Sequence, residues 1–272
     1  MTLLLRRSLL KRYSTLQTPP TPPTKRKLTT LTTLTVSSVF AFLGGYVSGT
    51  IYPPSFYQLL YPKPAPPPPV QHSQQSIEIS NEIENKVNNL DIVKSLRSDK
   101  SYYESRPYTR LNESVKANSL TAGALRGGGR LAIPPVVFSK EDDSEAIIIL
   151  HVGRGLCGHD GIIHGGLIAT LFDESLARTA ILSLPSKIGV TANLKVNYRA
   201  PLPADQFIMI KSTLNSLNGR KAFVNASLTS LDSKTLFADA QSLFIEPKYA
   251  HLLKSSGVTE ALGGKVTEKQ NL

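Results

Sequence analysis

The sequence predicts an α+β domain in which an antiparallel sheet wraps around one long central helix, preceded by a transmembrane helix. Three observations carry the globular part of this prediction. Apolar positions 167, 168, 171, 172, 176, 180 and 181 recur at three- and four-residue spacing through HGGLIATLFDESLARTAILSL, the pattern of a long buried helix. The period then changes to two: Val190, Ala192, Leu194, Val196 and Tyr198 alternate with Thr191, Asn193, Lys195, Asn197 and Arg199. The remaining patterns on either side are strands, and one helix beside many strands buries its apolar side only if a sheet wraps around it.

The chain has 272 residues, 40% of them apolar, which suits one good core with extensions. Its net charge of +11 is unevenly spread: eight bases, from Arg6 to Lys63, precede the first acid, Glu78, and the rest has 23 bases against 20 acids. The basicity belongs to the N-terminus, so nucleic-acid binding by the globular part is not expected. Residues 1–27 are acid-free and rich in Arg, Leu, Ser and Thr, the composition of a mitochondrial presequence. On a helix, Leu3, Leu4 and Leu10 would separate from Arg6, Arg7 and Lys11, which suits import toward an inside-negative compartment.

Residues 28–52 carry no charge over 25 positions. A helix needs about 20 residues to cross a hydrocarbon core, so this segment is expected to span a membrane once. Lys25, Arg26 and Lys27 flank its N-terminal end, which puts that end in the matrix and the globular domain in the intermembrane space if the membrane is the mitochondrial inner one. Residues 53–76 form a linker whose KPAPPPPV run reads as a stiff polyproline spacer. Residues 77–122 are polar with short helical patterns, and the sequence leaves open whether they pack on the globular domain.

That domain is placed at 123–248, with a tail at 249–272. RLAIPPVVFS and EAIIILHVG read as strands about the acidic turn Glu141-Asp142-Asp143. A loop with Gly153, Gly155, Gly158 and Gly161 leads into the helix. Four strands come after it, with Asn218-Gly219 and Asp232-Ser233 as turns, read as an antiparallel meander that completes a six-stranded sheet. The lone Cys157 excludes an internal disulfide framework and a multi-cysteine metal site, and is expected to be a small packing residue.

The chemistry concentrates on the helix. Starting it near His164 places Gly166, Ala169, Thr170, Asp173 and Ala177 on one narrow face. Small side chains around a carboxylate leave room for another molecule or subunit to approach, which makes Asp173 the functional candidate. Glu174 points elsewhere and has Arg178 four residues on, the spacing of a solvated ion pair. In His164-Gly165-Gly166, the first helix amides lack intrahelical partners, and glycine lets a ligand oxygen reach them. Such amides, with the helix dipole, can polarise a carbonyl for acyl transfer, and Asp173 could then activate water or attack the carbonyl itself. His164 reads equally well as a residue that only ties down the loop.

HGG followed by Asp at His+9, in HGGLIATLFDE, resembles the hotdog thioesterase superfamily. VTANLKVNYRAPLP and GRKAFVNASLTSLDSKTLFADAQSLFI are similar to the THEM group of mitochondrial acyl-CoA thioesterases, the likeness running from about Gly123 to Pro247. It implies a curved sheet around the helix, and dimers with active sites at the subunit interface. It implies Asp173 as acid/base or nucleophile, the Gly165 amide as oxyanion donor, His164 as a supporting group and Thr191 as an auxiliary polar group. The substrate would be a fatty acyl-CoA, with no separate cofactor and no metal. One departure stands out: many relatives carry Asn or Gln six residues before the HGG histidine, where this chain has Gly158, with His159 and Asp160 as nearby substitutes. Coenzyme A phosphates call for cations, and Gly166, Lys195, Arg199, Arg220 and Lys221 are the candidate binding residues. No P-loop, GxSxG, HExxH or CxxC occurs, so nucleotide hydrolysis, serine-hydrolase and zinc chemistry are not expected. The competing readings are an inactive hotdog that binds acyl-CoA or a protein partner, and hydration of an enoyl thioester.

Overall fold

The structure is a computed structural model that describes residues 35–46, 66–159, 161–252 and 262. It divides into two compact units, Met1–Lys63 and Pro64–Leu272. In the first, residues 35–46 form helix α1 with every residue exposed. This helix falls inside the predicted span of 28–52, but among the described residues no helix is long and apolar enough to cross a membrane. The leader at 1–27, the rest of the span and linker residues 53–65 lie outside the described residues.

The second unit opens with helices that sequence patterning leaves open. Ser73 caps α2, Gln74–Asn89, by accepting the Ser76 amide at 3.2 Å. Leu90 breaks the helix, and α3, Asp91–Ser98, comes next. Ile83 and Val87 of α2 and Val93 and Leu96 of α3 form a buried cluster with Val136, Phe138, Ile147 and Ile149 of the sheet. The polar segment at 77–122 is therefore packed, and its apolar residues seal the sheet's outer face. It also holds a strand, β1, Tyr102–Ser105, too short to announce itself by period, and a short helix, α4, Glu113–Ala117.

β2, Val136–Lys140, and β3, Glu145–Val152, pair about the predicted acidic turn, where Asp143 adopts a φ of 57°. The long apolar run in β3 has a physical cause: Ala146, Ile148, Leu150 and Val152 face the main core, while Ile147 and Ile149 lie under α2 and α3. The glycine loop folds into a small hairpin, β4, Cys157–His159, and β5, Ile162–Ile163. Cys157 is half-buried against the core, as expected of a packing residue.

The long helix is α5, Gly165–Ser183, and its predicted apolar positions are buried; Phe172, Leu176 and Ala180 have no exposed surface. Burying a side chain such as Phe172 or Leu176 contributes about 1.5–3 kcal/mol. Four strands come after it: β6, Val190–Tyr198, β7, Gln206–Asn218, β8, Lys221–Ser230, and β9, Leu236–Ile245. Gly219 takes its positive φ of 58° in the Asn218-Gly219 turn. The sheet has seven strands, because β1 adds to the expected six, in the order β1-β2-β3-β7-β8-β9-β6. The expected meander is corrected: β7, β8 and β9 run in sequence, but β6 pairs with β9 at the far edge and β7 pairs with β3. With α5 in the concave face, the chain enters the sheet at one edge and crosses beyond the helix to reach β3.

His151 of β3 is buried at 8% exposure, stands edge-on to Phe207 at 5.1 Å and has an Nδ1 with no hydrogen-bond partner among the described residues. Burial holds its pKa below the ordinary 6.5, outweighing the Asp205 carboxylate. The unfolded chain takes up a proton that the folded state resists, so stability should fall as pH drops through and below about 6.5. His151→Leu should flatten this part of a melting-temperature profile. An unchanged slope would show that another group controls it.

Candidate active site

The start of α5 is organised by His164. It sits in extended conformation as the N-cap, its amide donates to the Leu156 carbonyl at 3.0 Å, and its Nδ1 accepts the Gly166 amide at 2.9 Å. A neutral ring that accepts at Nδ1 carries its proton on Nε2. This arrangement accounts for Gly158, because a Cβ there would lie 2.9 Å from the His164 ring. An Asn or Gln at 158 would displace the cap. His159 is exposed, and Asp160 lies outside the described residues.

The two glycines are not equivalent. The Gly166 amide is taken by His164, while the Gly165 amide has no partner among the described residues. The Gly165 carbonyl accepts the Tyr198 hydroxyl at 2.8 Å, and the tyrosine ring stands over the glycine. A period of two groups Tyr198 with the apolar series of β6, yet it is 54% exposed and steadies the helix start. Its spacing gives no sign of that role.

Asp173 lies two turns further along α5 on the predicted small-residue face, none of whose members is buried. Its Oδ1 accepts the Thr191 hydroxyl at 2.9 Å, and among the described residues it meets no cation. A plain period of two puts Thr191 in the outward series with Asn193 and Lys195. The structure instead has a register shift between Thr191 and Asn193, which leaves Ala192 as an extra residue. One extra residue reverses the alternation and brings Thr191 to the helix side of the strand, as the hydrogen bond requires.

Two expectations about Asp173's neighbours are corrected. Glu174 is not a solvent-facing half of an ion pair: it accepts the Tyr108 hydroxyl at 2.7 Å and the Thr121 hydroxyl at 2.9 Å. Burial and the Glu174 carboxylate push the Tyr108 hydroxyl well above its usual range. Arg178 is 3% exposed and donates to Ser139, to Tyr103 and to the carbonyl of Leu262 in the tail. The polar groups of 102–121 compete for both residues, and that segment's placement is a tertiary fact.

The candidate phosphate-binding cations fall into two places. Lys221 pairs with Ile245, which also pairs with Val190, so Arg220 and Lys221 lie at one end of β6. Arg199 lies just past the other end, about 30 Å away at the rise of an extended strand. Arg199 is engaged by Asp239 at 2.5 Å and Arg220 donates to the Glu246 carbonyl at 3.0 Å. Lys195 and Lys221 form no ion pair among the described residues. No group of three or more metal-binding side chains occurs among the described residues.

Comparison with known proteins adds to this geometry. A family model described as thioesterase superfamily matches residues 160–237, which hold His164, Gly165, Asp173 and Thr191. A UPF0644 protein of Schizosaccharomyces pombe is 39% identical over 191 residues, 68% of this chain and 73% of that protein. Acyl-coenzyme A thioesterase THEM4 of Bos taurus is 35% identical over 147 residues, 54% of this chain and 59% of its own. An uncharacterized mitochondrial membrane protein of Saccharomyces cerevisiae, FMP10, is 26% identical over 176 residues, 64% of this chain and 69% of its own.

The two adjacent acids should separate in a melting experiment. Glu174→Gln replaces an acceptor of two hydroxyl donors by an amide and should cost about 1–2 kcal/mol, several degrees of melting temperature. Asp173→Asn sits on the open face with one hydrogen bond and should melt close to the parent. Equal melting temperatures for the two variants would contradict the assignment of Glu174 to a structural network.

Proposed function

The chain belongs to the thioesterase superfamily, and from that premise we propose that it hydrolyses a fatty acyl-CoA thioester to free acid and CoA. The observation that carries this reading is the Asp173 carboxylate, held by Thr191 on an open face of small residues, on the same helix as the free Gly165 amide. Thr191 occupies Oδ1 and leaves Oδ2 without a partner among the described residues, ready to take a proton from water or to attack the carbonyl. The Gly165 amide, at the positive end of α5, would bind the oxygen that becomes negative. CoA is part of the substrate, and no separate cofactor enters. Its phosphates fall to Lys195 and Lys221, with Arg199 and Arg220 available on exchange of their present partners.

A second copy of the chain completes the site. Gly165 and Asp173 are eight residues apart on one helix, about 12 Å along its axis, too far to act on one carbonyl. The Gly165 amide of one subunit and Asp173 of another can meet if the open face of α5 is shared. β6 at the sheet edge, where Val190 is 52% exposed, is the adjoining surface for such a dimer. Its unpaired side offers backbone donors and acceptors.

Asp173→Asn keeps size and removes basicity, so thiol release from a panel of acyl-CoAs should fall by about 10²- to 10⁴-fold with folding unchanged. Thr191→Ala should fall part of the way, and light scattering should find the active parent as a dimer. Wild-type turnover in Asp173→Asn would remove Asp173 from the mechanism, and a fully active monomer would refute the shared site. A parent that hydrolyses none of the panel would leave the domain as an acyl-CoA-binding or interaction module.

We further propose that residues 1–27 direct mitochondrial import and that 28–52 anchor the chain in the inner membrane, with the catalytic domain in the intermembrane space. The uncharged run, the flanking Lys25, Arg26 and Lys27, and the mitochondrial relative support this. Carbonate extraction should leave the full chain in the membrane pellet, and protease should digest the domain once the outer membrane is ruptured. Release to the supernatant would refute the anchor, and protection after rupture would reverse the orientation.

A further inference from the structure

A cleft of about 490 Å³ lies within the second unit, between α4 and the turn that precedes α2, and it shares no residue with the site around Asp173. That volume falls in the range of small-molecule sites, about 300–1,000 Å³. His72, Tyr108, Lys116 and Arg126 are among its walls. Arg126 is the unusual member. Its guanidinium donates only to the Ile133 carbonyl, at 2.7 Å, and among the described residues it meets no carboxylate. Burial pushes its pKa down to about 10, with the nearby Arg106 cation adding to the fall and Tyr108 opposing it. The second cation, Lys116, is paired at 2.8 Å with Glu113, whose side chain is 85% exposed while that of Lys116 is 24% exposed. A pair with one partner at the surface is weak, and its anion can be exchanged for another.

The walls are built rather than incidental. Gly123 lets the turn at Leu120–Ala124 close onto α4, because a Cβ there would collide with the Lys116 carbonyl. His72 and Tyr108 hold φ values of 66° and 68°, a region that side-chain-bearing residues rarely adopt, and both line the cleft. Tyr108 also reaches Glu174 beside Asp173, so the cleft and α5 share one hydrogen-bonded link.

We propose that this cleft is a second, non-catalytic binding site for a phosphate monoester, held by Arg126 and Lys116. Two cations match a dianion better than a single carboxylate, and the unoccupied N–H groups of Arg126 suit the oxygens of phosphate. The monoester could be a free metabolite or the 3′-phosphate end of a nucleotide such as that in CoA.

Calorimetric titration of the full-length protein with glucose 6-phosphate, with adenosine 3′,5′-bisphosphate and with octanoate tests this. One or both phosphates should bind saturably and not be displaced by octanoate, which as a fatty acid belongs at the thioesterase site, and the phosphate that binds identifies the source. Arg126→Gln and Lys116→Gln should each weaken binding by about tenfold or more. Lys116→Gln alters a side chain at the mouth and serves if Arg126→Gln fails to fold. Absence of binding by both phosphates overturns the proposal. So does binding that survives the substitutions, or its displacement by octanoate. None of these readouts depends on thioester hydrolysis, so they stand apart from the outcome of the activity assays.

Discussion

The enclosure of α5 by the sheet is the constraint on which the rest of the structure depends. A helix with Leu167, Ile168, Leu171, Phe172, Leu176, Ala180 and Ile181 buried needs apolar surface over most of its circumference. The sheet supplies that surface by curving, so β3, β7, β8 and β9 all contribute to one core. What the sheet leaves uncovered is the strip from Gly166 to Ala177, and the only ionisable group on it is Asp173. The candidate catalytic carboxylate lies on the one part of the helix that the core does not claim.

β6 is where that opening is managed. As the edge strand it pairs only with β9, and most of its residues are exposed. Because it borders the open strip, a local irregularity in it acts directly on the site. The bulge at Ala192 turns Thr191 toward Asp173, and at the strand's other end Tyr198 ties down the Gly165 carbonyl. A bulge disrupts few pairing partners at an edge, which makes this strand the least disruptive place to re-aim a side chain.

The segment from 74 to 126 does more than lead into the domain. α2 and α3 cover the outer face of β2 and β3, which turns a half-exposed hairpin into one buried on both sides. Tyr103, Tyr108 and Thr121 then reach the far face of α5 and take up Arg178 and Glu174. Adjacent acids in one helical turn consequently have different surroundings. Asp173 faces an opening, and Glu174 is held in a network that gives it no freedom to act.

The sequence by itself determined the long helix, the strands around it, both hairpin turns and the candidacy of Asp173. Each of these rests on local rules: periods of 3.6 and two, Asn-Gly in a tight turn, and the small residues that flank one carboxylate. That the Gly166 amide is taken while the Gly165 amide has no partner among the described residues needed the His164 ring in place. The exclusion of a side chain at 158 needed the hairpin closed against that ring. The edge position of β6, the strand at 102–105, the bulge at Ala192 and the partners of Glu174 and Arg178 were decided only by tertiary structure. They depend on which distant segments arrive beside them, and a pattern of neighbours along the chain carries no record of neighbours across it.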